Sequence, residues 1–164
     1  MVTIRSAEPR DVYLIHSSIE GLARHVGMTD VLASTPAKLE DALFGADPSL
    51  QGIVAEVNSD YAGMSLFFRT YSTWFGRVGV YVQDIFVEPR FRGQGLGDSL
   101  LREVAALARA KGAAYLRLTV DARNHSAQRF YARMGLEHEE TDQSYAAFGA
   151  AFDVLANAAT PVQQ

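Results

Sequence analysis

The order of apolar and polar residues predicts one strand and two helices before residue 50. Residues 2–5 alternate between apolar and polar side chains, as a half-buried strand does. Apolar residues then recur at helical spacing after Pro9 and again after Pro36, and Thr35 is placed to cap the second helix. The first segments of the chain therefore combine both kinds of secondary structure.

The middle of the chain predicts a hairpin followed by a strand–helix–strand unit. Residues 52–57 and 61–71 are apolar runs on either side of the turn-forming segment Asn58-Ser59-Asp60. Later apolar patterns predict a strand, a helix and another strand, over residues 78–87, 96–111 and 115–120. We expect the hairpin strands to be antiparallel and the last two strands to form a right-handed parallel crossover.

The C-terminal part predicts a short helix, a last strand and a final helix. Asn124 is a plausible N-cap for the short helix, which Gly135 would end. The last strand is expected near residues 144–148. Together the patterns predict an α/β fold (mixed α+β) with a mixed central sheet of about six to seven strands and helices on both faces. We expect a single domain over residues 1–156 and a short flexible tail over 157–164.

Composition narrows the possible functions. The chain has 164 residues and a formal net charge of −4, so a nucleic-acid partner is not expected. The absence of cysteine excludes disulfides, thiolate metal sites and a cysteine nucleophile. No histidine spacing typical of a metal site occurs, and no apolar stretch is long enough to span a bilayer. These features predict a cytoplasmic protein with no metal and no membrane partner.

The segment Arg92-Gly93-Gln94-Gly95-Leu96-Gly97 joins a predicted strand to a predicted helix. The first N–H groups of a helix lack intrahelical partners and carry positive potential, and glycines let a ligand approach the backbone closely. Arg92 adds a charge-assisted donor. The segment therefore favours a pyrophosphate-binding loop, with a glycine-rich turn as the alternative. Its spacing fits neither a P-loop nor a dinucleotide-binding fingerprint.

Two segments resemble the motifs of the GNAT N-acetyltransferase family. Residues 92–97 are similar to the family's R/Q-x-x-G-x-G/A loop, and residues 124–136 are similar to its N-x-x-A/S-x-x-F-Y-x-K/R-x-G-F segment. Residues 71–77 and 81–87 further resemble the diamine (spermidine/spermine) and thialysine N-acetyltransferase branch, which has YSTW-x-G-R and Y-L-E-D-L-F-V there. The resemblance covers roughly residues 3–156 and implies a GNAT-like acyl-CoA N-acyltransferase fold.

The resemblance implies acetyl-CoA as cosubstrate and direct attack on it by a primary amine of a small molecule. The implied cofactor-binding residues are Ile85, Phe86, Val87, Arg92, Gly93, Gln94, Gly95, Leu96, Gly97, Asp98, Asn124 and Arg133. Asn124 could cap its helix, contact CoA, or do both, and Arg133 could reach the CoA 3′-phosphate or lie in solvent. Tyr131 is the implied general acid, although its periodicity also fits a core tyrosine.

The acceptor side is expected to involve Gln83, Asp84 and His25. The branch has Glu at the position of Gln83, a Tyr-Glu pair at residues 25–26 and Trp at Arg123, so this chain lacks some of the branch's carboxylates. Asp84 is the candidate general base, with a purely structural carboxylate as the alternative. Glu88, His25 and a chain of waters are other candidates for this step.

Two other functions remain open on the sequence alone. One is a CoA-binding module without turnover that acts as a sensor or as a partner-binding subunit. The other is an acetyltransferase that acts on a protein or peptide. The resemblance also implies a homodimer, for which the apolar C-terminal residues Phe148, Phe152, Val154 and Leu155 could supply contacts or could instead form core.

Overall fold

The computed structural model describes residues 1–158, and its strands form one mixed sheet. The five strands of the described residues are β1 (Val2–Ser6), β2 (Gln51–Val57), β3 (Asp60–Ser72), β4 (Arg77–Val87) and β5 (Tyr115–Leu118). They lie side by side in sequence order, and every neighbouring pair is antiparallel except the parallel pair β4–β5. The antiparallel hairpin and the parallel strand–helix–strand unit are therefore confirmed.

The helices are divided between two compact units of the chain. They are α1 (Val12–Val26), α2 (Pro36–Phe44), α3 (Leu96–Ala110), α4 (His125–Arg133) and α5 (Ala150–Asn157). The first unit is Met1–Gln128, and the second comprises the described residues from Arg129 onward. All of the sheet belongs to the first unit, and α4 begins in the first unit and ends in the second.

Local sequence signals explain several element boundaries. Asn58 and Ser59 have positive φ angles of 53° and 72°, as both central residues of a type I′ hairpin turn do, and they connect β2 to β3. The Thr35 hydroxyl accepts a hydrogen bond from the Lys38 N–H at 3.3 Å and so caps α2. The predicted turn and the predicted cap are both confirmed.

Helix α1 crosses the sheet from its β1 edge towards β4. At its start, Asp11 forms an ion pair with Arg5 of β1 at 2.7 Å. Further along, the Ser18 hydroxyl is hydrogen-bonded to the Tyr61 hydroxyl of β3 at 2.8 Å. One turn later, a Cβ built on Gly21 would lie 3.0 Å from the Phe86 ring of β4. The last turn of α1 therefore continues past β4.

The sheet has helices on both faces within the first unit. On one face, α1 and α2 pack against buried residues of β2, β3 and β4, namely Val54, Met64, Leu66 and Phe86. On the other face, Leu107 and Ala108 of α3 share the walls of a small cavity with Phe67 and Val80. These two apolar layers hold the strands that carry the candidate site.

The C-terminal part differs from the prediction in its strand count. The described residues form five strands, whereas about six to seven were expected, and residues 144–148 form no strand. This segment lacks a clear alternation of apolar and polar residues, and Tyr145 and Phe148 are 90% and 82% exposed. Of the expected tail, Asn157 ends α5, and residues 159–164 lie outside the described part of the chain. The single-domain organisation over residues 1–156 stays a prediction.

Candidate active site

A β-bulge at Gln83 changes the side-chain alternation of β4. Leu66 of β3 pairs with Asp84, whereas the next residue, Phe67, pairs with Val82, so Gln83 is the extra residue of the ladder. Paired residues lie on the same face of a sheet. Val82 therefore faces α3 together with Phe67, and Asp84 faces α1 together with Leu66. The bulge is what brings the Asp84 carboxyl to the α1 side.

The C-terminal half of β4 has an edge that no strand of the described residues covers. Pairing with β5 ends at Leu118, whereas pairing with β3 continues to Val87. The Glu88 N–H donates to the Ala62 carbonyl of β3 at 2.9 Å. Donors alternate along an antiparallel ladder, so the N–H groups of Val87 and Ile85 point away from β3. These two backbone donors face the uncovered edge.

Phe86 has a different orientation from its two neighbours. The same alternation directs its N–H towards β3, and its side chain is 8% exposed in the core under α1. Of the three predicted positions at the end of β4, two thus offer backbone donors and the third anchors the strand.

The glycine loop between β4 and α3 presents free backbone donors to open space. Gly93 and Gly95 have φ angles of 77° and 76°, and a Cβ on either would meet no atom within 4 Å. Gly95 is the N-cap of α3, and the Ser99 N–H donates to its carbonyl at 3.0 Å. The N–H groups of the preceding residues, Leu96, Gly97 and Asp98, therefore lie in the first turn, where a helix has no acceptors of its own. Such a helix start fits a phosphate group.

Arg92 connects the glycine loop to the end of β4. Its Nε donates to the Val87 carbonyl at 2.9 Å, and its guanidinium carbon lies 5.7 Å from the centroid of the Phe86 ring. The carbonyl of Val87 points to the same side as its N–H, so the guanidinium sits at the uncovered edge of β4. Arg92, which is predicted to bind phosphate, thus also holds the end of β4. The sequence did not indicate this second contact.

Asp84 is a largely buried carboxyl next to this edge. Burial raises the pKa of the Asp84 carboxyl above its ordinary value. Within the described residues its side chain makes no hydrogen bond or ion pair. The Ser65 hydroxyl donates to the Asp84 backbone carbonyl at 3.0 Å and so steadies the bulge. A carboxyl in this environment is suited to accepting a proton.

The other residues expected on the acceptor side are exposed. Gln83 projects from the bulge, and His25 lies in the last turn of α1, which continues past β4. Two residues before Gln83 on β4, the Tyr81 hydroxyl is hydrogen-bonded to the Thr119 hydroxyl, just beyond the last residue of β5. This bond joins the two strands where their pairing ends. The sequence pattern does not indicate this bond, because it depends on the register of β4 against β5.

A comparison with protein families identifies the chain. The model of the acetyltransferase (GNAT) family matches residues 22–136, which include β4, the glycine loop and α4. The chain belongs to the GNAT acetyltransferase family. It is therefore an acyltransferase of the N-acetyltransferase type, as its motifs predicted.

Relatives of known name place this GNAT protein near the branch that the sequence resembles. It is 34% identical to the thialysine N-epsilon-acetyltransferase of Bos taurus over 83% of this chain and 84% of that protein. The mouse protein of the same name is 31% identical over 88% of this chain and 89% of its own. The resemblance to the diamine and thialysine branch is thus confirmed.

Solved structures show the same fold. An integron cassette protein from the mobile metagenome of V. cholerae superimposes with a TM-score of 0.79 at 23% identity, over 96% of this chain and 98% of that one. An aminoglycoside acetyltransferase from an uncultured soil metagenomic sample gives a TM-score of 0.74 at 16% identity, over 90% and 97% of the two chains. The mixed α/β GNAT fold is therefore confirmed.

The second motif of this GNAT protein begins at a well-capped helix start. The Asn124 side-chain carbonyl accepts the Ala127 N–H at 3.1 Å, so Asn124 caps α4 as predicted. Before it, hydrogen bonds from Arg123 lower the pKa of Asp121, and the Gln128 amide donates to the Ala122 carbonyl at 2.8 Å. These contacts fix the turn between β5 and α4.

Tyr131 and Arg133 lie in the second unit of the GNAT chain, on α4. The rings of Phe130 and Tyr131 pack edge to face, with centroids 5.0 Å apart. The Arg133 guanidinium carbon lies 5.9 Å from the Phe130 centroid. Gly135, with a φ of 85°, ends the helix. The roles assigned to Tyr131 and Arg133 stay predictions.

Residues 1–158 lack two kinds of feature. No group of three or more metal-binding side chains lies together in this part of the chain. None of its helices is long and apolar enough to cross a membrane.

Proposed function

We propose that this protein is an acetyl-CoA-dependent N-acetyltransferase that acetylates a primary amine of a small molecule by direct attack. The observation that carries the proposal is the uncovered edge of β4. It presents the N–H groups of Ile85 and Val87 between the open glycine loop and the buried carboxyl of Asp84. Donors for a carbonyl, a cradle for phosphate and a base are thereby close together.

Acetyl-CoA fits the residues of this edge. The open space over Gly93 and Gly95 leaves room for a pyrophosphate, and the N–H groups at the start of α3 and the Arg92 guanidinium supply donors for it. When bound, acetyl-CoA supplies an acetyl thioester for transfer. The backbone donors of β4 would hold the thioester carbonyl and stabilise the negative charge that develops on its oxygen.

Asp84 would act as the general base for the acceptor. An alkyl ammonium has a pKa of about 10.4, so the attacking amine must lose a proton. Asp84 takes a proton from the nitrogen as the new C–N bond forms. A carboxylate whose pKa is raised by burial is a stronger base than an exposed one.

Tyr131 would act as the general acid for the leaving group. As the C–S bond breaks, its hydroxyl gives a proton to the departing sulfur. One C–N bond thereby replaces one C–S bond. Of the two protons that leave the ammonium nitrogen, one passes to water before the attack and the other passes to Asp84, and the Tyr131 hydroxyl regains its proton from water. The support for Tyr131 is its place in the family motif that begins at Asn124.

The acceptor is proposed to be polyamine-, thialysine- or amino-acid-like. The relatives named thialysine N-epsilon-acetyltransferase support an amine on a short aliphatic chain. Neither Gln83 nor His25 carries a fixed negative charge, so we expect a different preference among amines from that of enzymes with carboxylates at these positions.

A homodimer is also proposed for this protein. The support is the family resemblance together with α5, on which Phe152, Val154 and Leu155 are 60–68% exposed. Sedimentation at micromolar concentration should give twice the mass of the 17.9 kDa chain. A species of monomer mass alone would overturn the dimer.

Release of free CoA thiol from acetyl-CoA tests the proposed reaction. The acceptor panel is spermidine, putrescine, thialysine, lysine, short aminoalcohols, an aminoglycoside and basic peptides. We expect release with one class of small amine. Release with peptides alone would replace the small-molecule proposal by a protein or peptide acetyltransferase. No release with any acceptor, together with acetyl-CoA binding in calorimetry, would favour a module without turnover.

A further inference from the structure

We propose that Phe68 and Tyr81 form an aromatic subsite that binds a second cationic group of the acceptor, next to the Asp84 carboxyl that faces the reacting amine. This inference rests on the proposed function and names two residues that would select acceptors carrying a further ammonium group. The recognition would come from aromatic ring faces instead of a second carboxylate. We call Phe68 and Tyr81 the aromatic shelf.

The register of the sheet places the aromatic shelf and Asp84 on one face. Phe68 pairs with Tyr81, and Leu66 pairs with Asp84. Phe68 and Leu66 are two residues apart on β3, so both they and their partners lie on the α1 face. Without the bulge at Gln83, Tyr81 and Asp84 would lie on opposite faces.

The ring of Tyr81 is held in place from two sides. It stacks on Phe68 with centroids 5.1 Å apart and an interplanar angle of 29°. Its hydroxyl is hydrogen-bonded to Thr119 at the end of β5. A ring fixed in this way loses little conformational freedom when a ligand binds to it.

The aromatic shelf is not part of the core on this face. The buried cluster under α1 and α2 reaches Leu66 and Phe86, and among the described residues it includes neither Phe68 nor Tyr81. Both rings are partly exposed. Partly exposed aromatic rings beside a buried core supply an apolar surface that a ligand can cover.

The Asp84 carboxyl supplies negative charge beside the aromatic shelf. This carboxyl has no cationic partner within the described residues. Two arginines border the area, and one of them, Arg117, pairs with Tyr81 and lies on the same face. The Arg117 guanidinium carbon lies 5.9 Å from the Tyr115 centroid, and an Arg24 nitrogen lies 3.8 Å from the Cβ position of Gly21. An ammonium group at the shelf therefore meets ring faces and the Asp84 carboxyl, and it has Arg117 as a cationic neighbour.

Choline and its uncharged isostere 3,3-dimethylbutan-1-ol test this inference directly. Choline has no N–H and cannot be N-acetylated, so its binding is independent of turnover. We expect choline to bind the purified protein, as measured by ligand-observed NMR, and the isostere to bind at least several-fold more weakly. Equal binding of the two, or no choline binding at tens of millimolar, would overturn the aromatic subsite.

Variants locate the binding on the aromatic shelf. Tyr81→Leu and Phe68→Leu should each weaken choline binding by roughly 3- to 30-fold, whereas Tyr81→Trp should preserve or tighten it. The control is Tyr71→Leu, because Tyr71 lies on the same strand as Phe68 but faces the other side of the sheet. Unchanged choline binding in folded Phe68→Leu and Tyr81→Leu would contradict the proposal. If Tyr81→Leu does not fold, Phe68→Leu and Tyr81→Trp decide the question.

Calorimetry with acetyl-CoA separates this inference from the proposed function. The aromatic shelf variants should bind acetyl-CoA like the wild type, because the glycine loop is not altered. Choline binding at the shelf without any acetyl-CoA binding would sink the proposed function and leave the cation subsite standing. A loss of acetyl-CoA binding equal to the loss of choline binding would sink the subsite, since the shelf would then only support the fold.

Discussion

The Nε of Arg92 donates a hydrogen bond of 2.9 Å to the carbonyl of Val87. The N–H of Val87 itself faces the uncovered edge of β4. A side chain from the glycine loop therefore determines where a backbone donor of the strand lies. Binding of phosphate and placement of the thioester carbonyl are linked through this one contact.

Replacing Arg92 by lysine should impair both tasks. Lysine keeps the positive charge but has no donor in the position of Nε. We expect kcat/KM for acetyl-CoA to fall about 10- to 100-fold, since a hydrogen bond from a charged group contributes roughly 1.5–3 kcal/mol. Steady-state kinetics measures this. Arg90→Lys is the control, because Arg90 is exposed and pairs only loosely with Asp60, at 3.6 Å. Equal losses in both variants would contradict a specific role for Arg92.

Alanine at Gly95 should weaken acetyl-CoA binding beyond its effect on stability. With a φ of 76°, alanine at Gly95 is expected to cost about 1–2 kcal/mol of folding free energy, and its Cβ would enter the space assigned to the pyrophosphate. Gly112→Ala is the matched control, because Gly112 has a φ of 86° and equally open surroundings beyond the other end of α3. Urea denaturation should show similar losses for both variants. Calorimetry should show weaker acetyl-CoA binding for Gly95→Ala only, and equal affinities would argue against the phosphate site.

Tyr131→Phe should fold normally and lose most of its turnover. Loss of a general acid typically lowers kcat about 10²- to 10⁴-fold. Thermal melting checks the fold, and thiol release checks kcat. Tyr145→Phe is the control, because Tyr145 belongs to the same unit and is 90% exposed. If Tyr131→Phe kept wild-type turnover, Tyr131 would have no part in the mechanism.

Asp84→Asn should lower activity and raise stability at neutral pH. Burial raises the pKa of Asp84 in the folded protein, so folding favours its protonated form. The free energy of unfolding therefore falls as pH rises from the unfolded pKa of about 4 through the higher folded pKa. Asparagine removes that loss, so the stability gain of the variant should be present at pH 7 and should disappear in acid. Urea denaturation at several pH values measures it.

The kinetic side of this prediction has its own measurement. As general base, Asp84 must be ionised, so wild-type kcat/KM for the amine should rise with pH through its folded pKa. Asp84→Asn should lower kcat about 10²- to 10⁴-fold and abolish that limb of the profile. A variant that is more stable and equally active would show that the carboxyl is only structural.

Local signals made much of the fold predictable. Turns and helix caps each depend on a few adjacent residues, so they can be predicted from the sequence. The examples are the hairpin turn at Asn58 and Ser59 and the caps at Thr35 and Asn124. The strand expected near residues 144–148 failed because a strand also needs a partner, and no local pattern supplies one.

The candidate site was only partly predictable. Its glycine loop and Asp84 carry residue types that suit their chemistry. The bulge was signalled only by two consecutive polar residues, Gln83 and Asp84, in an otherwise alternating strand. The contacts of Arg92 with Val87 and of Tyr81 with Thr119 join residues from different elements, so they follow from the register and not from the sequence pattern.

The extra residue in β4 determines which face of the sheet each later side chain of the strand occupies. Deleting Gln83 would leave Asp84 and Phe86 on the α1 face, but regular pairing with Gln83 retained would turn both towards α3. In that case the Asp84 carboxyl would face the α3 layer, and the Phe86 ring would be lost from the core under α1. A single insertion in one strand is thus sufficient to assign one side of the sheet to the acceptor and leave the other to structural packing.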